Sequence, residues 1–167
     1  AGLTGRAERG VPGDHPVCLT GDMSEETRIV SVERVIAAPA AEVFELIADP
    51  AQQPRWDGND NLSEAAPGQR VHAVGDVFVM ALTKQGAVRE NHIVEFEEGR
   101  RIAWLPAPVG EQPPGHLWRW ELEDAPGGTL VRHTYDWTEL HDPSRMERAR
   151  QTTAQSLQAS IDRLAAL

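Results

Sequence analysis

Apolar and polar positions along this chain change period three times, and the changes outline its elements. Residues 28–36 are rich in β-formers, with Val30, Val32 and Ile36 on one side. Pro39 then suits the opening of a short helix through Ala48, whose apolar face is Val43, Phe44 and Ile47. Asp49-Pro50 stops it, and residues 51–56 predict one further helical turn interrupted by Pro54. Residues 57–67 are polar and read as irregular chain or a weak edge strand. Alternation resumes at residues 76–82, where Phe78, Met80 and Leu82 share a face. Gln85-Gly86 turns the chain into a strand over 88–96, and 97–100 turns it again into a strand over 102–105. Residues 106–115 hold four prolines and two glycines and predict a loop. Strands over 117–123 and 129–137 follow, joined by Pro126-Gly127-Gly128.

From Asp142 the period becomes helical. Asp142 suits a cap and Pro143 a first helical position. Met146, Thr153, Leu157, Ile161 and Leu164 then fall on one side, and no Gly or Pro interrupts the run to Leu167. Arg145, Arg148, Gln151, Gln155, Gln158 and Asp162 occupy the other side and read as a solvated face. The expectation is one long helix closing an otherwise β-rich chain. A lone amphipathic helix must bury its stripe, and the only surface on offer is one face of the sheet. The predicted class is therefore α+β, a curved antiparallel sheet around a C-terminal helix, with two short helices after the first strand. A sheet wrapped around one helix can leave an internal cavity.

Composition narrows the partners. The 167 residues suit one domain, and 40% hydrophobic content suffices for a packed interior. The net charge of -10 disfavours nucleic acid and anionic lipid surfaces. No apolar run approaches the roughly 20 residues that span a bilayer, so no membrane insertion is expected. The single Cys18 permits no internal disulfide and fits a cytoplasmic protein. Residues 1–26 are rich in Gly, Pro and charge and read as a flexible arm ahead of a domain over 27–167, with Met23 a candidate natural start. A neighbouring protomer, as in a homodimer, is a candidate to hold that arm.

Several motifs together have a familiar order. Ile36-Ala37-Ala38-Pro39, Val43-Phe44, Ile47-Ala48-Asp49-Pro50 and Pro54-Arg55-Trp56 resemble the opening of the START-related (SRPBCC) superfamily. Val94-Glu95-Phe96, Arg101-Ile102-Ala103-Trp104, Gly127-Gly128-Thr129 and Tyr135-Asp136-Trp137 resemble its later parts. The superfamily includes polyketide cyclases and dehydrases, lipid-transfer domains and plant pathogenesis-related allergens. The resemblance covers roughly residues 28–167. It implies the helix-grip fold, a curved sheet gripping the last helix around an apolar cavity, and no shared catalytic set.

Strand alternation then nominates inward side chains. Val131, His133, Tyr135 and Trp137 share a side of the last strand, and Trp118, Trp120 and Leu122 share one on the strand before. Ile102 and Trp104 face inward on theirs. If Val94 and Phe96 mark the inner face of the 88–96 strand, Val88, Glu90 and His92 lie there too. The candidate ligand-binding set is Trp56, Phe78, Met80, Glu90, His92, Trp104, Trp118, Trp120, His133, Tyr135, Trp137, Thr153 and Leu157. Each indole is equally consistent with plain core, and Thr153 with a bond to its own backbone. Glu90, His92, His133 and Tyr135 are the candidates for acid–base catalysis, although each His and Glu also fits a satisfied structural pair.

Other chemistry lacks a motif. There is no phosphate loop, dinucleotide fingerprint or Gly-x-Ser-x-Gly elbow, and no cofactor is expected. The six His never pair at ligand spacing, so no metal is expected. Asp57-Gly58-Asn59-Asp60-Asn61 resembles a calcium loop, but its closing position is Gly68. Three functions stay open: a carrier of a small hydrophobic molecule (aromatic, polyketide-like or lipid-like), a polyketide cyclase or dehydrase-like enzyme, and a protein-interaction module like the chaperone activators of the superfamily.

Overall fold

The computed structural model describes residues 26–167. The expected arm over residues 1–26, with Cys18 and Met23, lies outside them save for Glu26, which pairs with Arg150 at 2.5 Å. The chain runs β1 (Ile29–Ile36), α1 (Ala40–Ala48), a 3-10 turn (Pro50–Gln52), α2 (Gln53–Trp56), β2 (Leu62–Glu64) and β3 (Val77–Leu82). It continues β4 (Val88–Glu97), β5 (Arg101–Pro108), β6 (Leu117–Ala125), β7 (Gly128–Asp136), α3 (Pro143–Gln151) and α4 (Ala154–Ala165). Seven antiparallel strands form one sheet in the order β1-β7-β6-β5-β4-β3-β2. The last helix, α4, lies against β1, β7 and α2. The α+β helix-grip architecture is present.

Three local features depart from the sequence reading. The first is in β4. Ile93 pairs with Trp104 but Glu95 pairs with Ala103, so Val94 is an extra residue in a bulge. Upstream of it, Arg89 and Asn91 sit directly opposite Met80 and Phe78, which are 1% exposed, and so share their inward face. Downstream, Phe96 faces inward again and meets Phe44 at 5.8 Å. Val94 itself is 38% exposed. Val88, Glu90 and His92 consequently face outward, opposite to the alternation counted back from Val94.

The second departure is the closing helix, which is two helices. Thr152 and Thr153 leave the α-region, with ψ of 98° and 168°. The Thr153 hydroxyl accepts from the Ser156 amide and caps α4. Thr153 is thus an exposed cap outside the buried stripe. The buried apolar positions are Ala149 on α3, then Leu157, Ile161 and Leu164 on α4, with Ser160 buried beside them. The third departure is β5, which runs on through Pro106 and Pro108 into the stretch expected as loop. β6 pairs with β5 only as far as Trp104, so beyond it one edge is free and two prolines cost no ladder bond there.

The core falls into two clusters. The larger packs Phe44, Ile47, Trp56, Phe78, Ile93, Ile102, Trp120 and Ile161 between the sheet, α1 and α4. The smaller holds Tyr135, Trp137, Leu140, Ala149 and Leu157. The Asp57–Asn61 motif is a structural turn that binds the chain to α4. Asp57 accepts from the amides of Asn59, Asn61 and Leu62 at 3.3, 2.7 and 2.9 Å. Arg163 on α4 donates to the Asp57 carbonyl and the Asp60 carboxylate. Gly58 donates to Ser160 Oγ at 3.1 Å, and a Cβ at Gly58 would run into the Ala159 backbone. Gly58→Ala should therefore cost about 1–3 kcal/mol as α4 is pushed from the sheet. Urea unfolding checks this, and an unchanged midpoint would contradict the tight approach.

Candidate functional site

Between the two clusters lies a cavity of about 450 Å³. Its walls take Trp56, Met80 and Trp104 from the larger cluster and Tyr135, Leu140 and Leu157 from the smaller. Asn59, Asn61, Arg148 and Gln151 also line it and are exposed, which puts an opening between the β2 approach and α3.

Seven of the nominated residues come together on this cavity: Trp56, Met80, Trp104, Trp118, His133, Tyr135 and Leu157. Three others lie in packed core away from its surface. Phe78 meets Trp104 edge-on at 5.4 Å, Trp137 packs under Arg28 at 4.8 Å, and Trp120 is fully buried. Glu90, His92 and Thr153 lie off the cavity altogether. Glu90 accepts from the Gly110 amide at 2.6 Å. His92 stands between Val77 and Leu105 on the outer face, its Nε2 without a partner among the described residues. The bulge and the helix break account for these three misplacements.

One wall is an aromatic ladder. β6 and β7 pair Trp118 with Tyr135 and Trp120 with His133. The Trp118 and Tyr135 rings are 4.5 Å apart, and His133 stacks on Trp120 at 3.7 Å. Trp56 closes on Trp120 at 5.1 Å and is anchored by its indole N–H to the Leu46 carbonyl at 2.7 Å. His133 Nδ1 lies 3.3 Å from the Arg119 carbonyl. A carbonyl only accepts, so Nδ1 carries the proton and Nε2 the lone pair.

Burial sets the electrostatics. It lowers His133 to about 3, opposed by the Arg119 carbonyl. It lowers His116, which precedes β6 and also lines the cavity, to about 4, helped by Arg145, Arg148 and Arg89. It raises Tyr135 to about 12, against a hydrogen bond from the Thr152 side chain. At neutral pH both imidazoles are uncharged and the phenol keeps its proton.

The sequence reading missed Arg89, Asn91, His116, Arg145, Arg148 and Thr152, all of which line the cavity. The first two were hidden by the bulge. On α3 the spacing 145, 148, 149, 152 follows one helical stripe around buried Ala149, and that stripe was the available signal. Among the described residues no helix is long and apolar enough to cross a membrane.

A curved sheet, two terminal helices and an internal cavity define a helix-grip domain. Residues 27–167 match the family described as polyketide cyclase / dehydrase and lipid transport, and the chain belongs to that family. Rv0088 of Mycobacterium tuberculosis (strain ATCC 25618 / H37Rv), an uncharacterised protein, is 29% identical over 137 residues, or 77% of this chain and 57% of Rv0088. The chain thus spans little more than half the length of that relative. Among solved structures, NE0264 of Nitrosomonas europaea aligns over 83% of this chain and 92% of its own, with a TM-score of 0.62 and 15% identity. DynU16, from the dynemicin biosynthetic locus, aligns over 84% of this chain and 47% of its own, with a TM-score of 0.59 and 19% identity. At such identities these two structures speak for the fold alone.

Proposed function

We propose that this protein binds a small hydrophobic molecule, flat and aromatic or lipid-like, in the cavity between sheet and terminal helices. The observation that carries the reading is the aromatic wall of a cavity of about 450 Å³. That volume falls within the roughly 300–1,000 Å³ usual for small-molecule sites. Trp104, Trp118 and Tyr135 offer large apolar faces with few rotors to freeze, which favours a rigid planar guest. An interior with this much open space favours a ligand over the protein-interaction reading.

Acid–base catalysis is the weaker reading. Glu90 and His92 are outside the cavity, and the groups inside titrate near 3, 4 and 12. Proton transfer works best when the catalytic group titrates near the working pH. The expected activity is therefore binding without turnover.

Native mass spectrometry and tryptophan-fluorescence titration against polyphenols, aromatic polyketides and single-chain lipids test the reading. The expected result is a one-to-one complex that quenches indole emission. Trp118→Ala should weaken it by about tenfold or more through lost contact area. Absence of binding across all three classes would remove the proposal.

A further inference from the structure

The cavity carries a charge pattern that a purely apolar guest leaves unused. The chain as a whole is acidic, with a net charge of -10. Its cavity is the reverse: among the described residues Arg89, Arg145 and Arg148 line it, against the one carboxylate of Asp57. Both Asp57 oxygens are already occupied by backbone amides of its own turn.

The arginines are unusual in what they lack. Of the thirteen between residues 26 and 167, nine form ion pairs with a carboxylate. Arg89 and Arg148 pair with no carboxylate among the described residues. The other two without one have neutral partners: Arg28 lies over Trp137 and Arg55 donates to Gln52. Among the described residues Arg89 donates only to the neighbouring Val88 carbonyl, at 3.1 Å. Arg148 donates to no group among the described residues. Arg145 is held by Asp142 at 3.3 Å. Clustered guanidiniums repel one another, and burial weakens the water that would screen them. The effect registers on Arg89, whose pKa is lowered first by burial and then by Arg145 and Arg148, each outweighing the opposing Glu111. Among the described residues, most arginines are paired, yet two are left open on an internal cavity, which holds donor capacity in reserve there.

Resting on the ligand-binding reading above, we infer that the guest is an amphiphilic carboxylate. Its anionic end sits against Arg89 and Arg148 near the mouth, and its apolar body lies along Trp104, Trp118 and Leu157. A guanidinium offers a planar fork of donors that matches two carboxylate oxygens. The chemistry is shared by aromatic acids and fatty acids, so the test includes both.

Tryptophan-fluorescence titrations of the wild-type chain would compare 2-naphthoate with 2-naphthalenemethanol, and dodecanoate with dodecanol. The acid of at least one pair should bind about tenfold or more tighter than its alcohol, as charge-assisted hydrogen bonds predict. The pair showing the larger ratio identifies the body as aromatic or aliphatic. Arg148→Gln and Arg89→Gln should each reduce the ratio, chiefly by weakening binding of the acid. Equal binding of acid and alcohol in both pairs overturns the inference and leaves the ligand-binding reading standing. Failure of all four compounds to bind overturns both.

Discussion

Trp120→Ala will destabilise the fold by about 3–5 kcal/mol, the cost of truncating a large buried aromatic. Trp118→Ala, two residues along the same strand, will cost less than about 2 kcal/mol, because much of its ring faces open space. The two indoles differ in what surrounds them. Trp120 is 0% exposed, wedged between His133 and Trp56, and its removal leaves a void inside packed core. Trp118 is only partly buried and borders a space that already exists. Urea unfolding of both variants, with comparable slopes, measures the difference. Equal losses would mean that the cavity is closed in solution and Trp118 is core.

The second large effect is loss of stability in mild acid. A free imidazole titrates near 6.5, but folding lowers His133 to about 3 and His116 to about 4. Below pH 6.5 the unfolded chain therefore takes up protons that the folded chain refuses. Each such histidine removes about 1.4 kcal/mol of stability per pH unit until its folded pKa is reached. The stability is complete above pH 6.5 and lost as pH falls. Carboxylates held below their usual range, such as Glu45 and Asp76, begin to contribute only near pH 4.5 and lower. Between pH 6.5 and 4.5 the histidines dominate, and the loss should reach roughly 2–3 kcal/mol for His133 alone. Unfolding midpoints at pH 7.0, 6.0 and 5.0 measure it. His133→Phe keeps an aromatic ring on Trp120 and should flatten the dependence by about half. An unaltered slope in that variant would show that His133 is not the proton acceptor of the unfolding reaction.

The order of elements was legible because each strand and helix carries its own period. The inward indoles of β5 and β6 were legible for the same reason, since Trp104, Trp118 and Trp120 sit on strands without bulges. What stayed hidden was set by single residues. Val94 and Phe96 look like an inward pair, yet one extra residue at Val94 reverses everything upstream. Without the cross-strand register, nothing in Val88–Glu97 distinguishes a bulge from regular alternation. Thr152 and Thr153 carry no Gly or Pro to announce a break, although Thr153 followed by Ser156 has the form of a cap. The cationic wall was overlooked because arginines on a helix ordinarily face water. Here the α3 stripe turns Arg145 and Arg148 toward the cavity, with Ala149 small enough to let the helix approach.

The seam between the two terminal helices divides two duties. α4 supplies Leu157, Ile161 and Leu164 to the hydrophobic interior and is bolted to the 57–61 turn by Arg163. α3 supplies the charged rim, and its backbone ladder stops before that of α4 begins. Replacements along the outer rod can change the charge of the cavity rim without disturbing the rod that is tied to the 57–61 turn. Evolution of such a scaffold can retune the rim while conserving its thermodynamic footing.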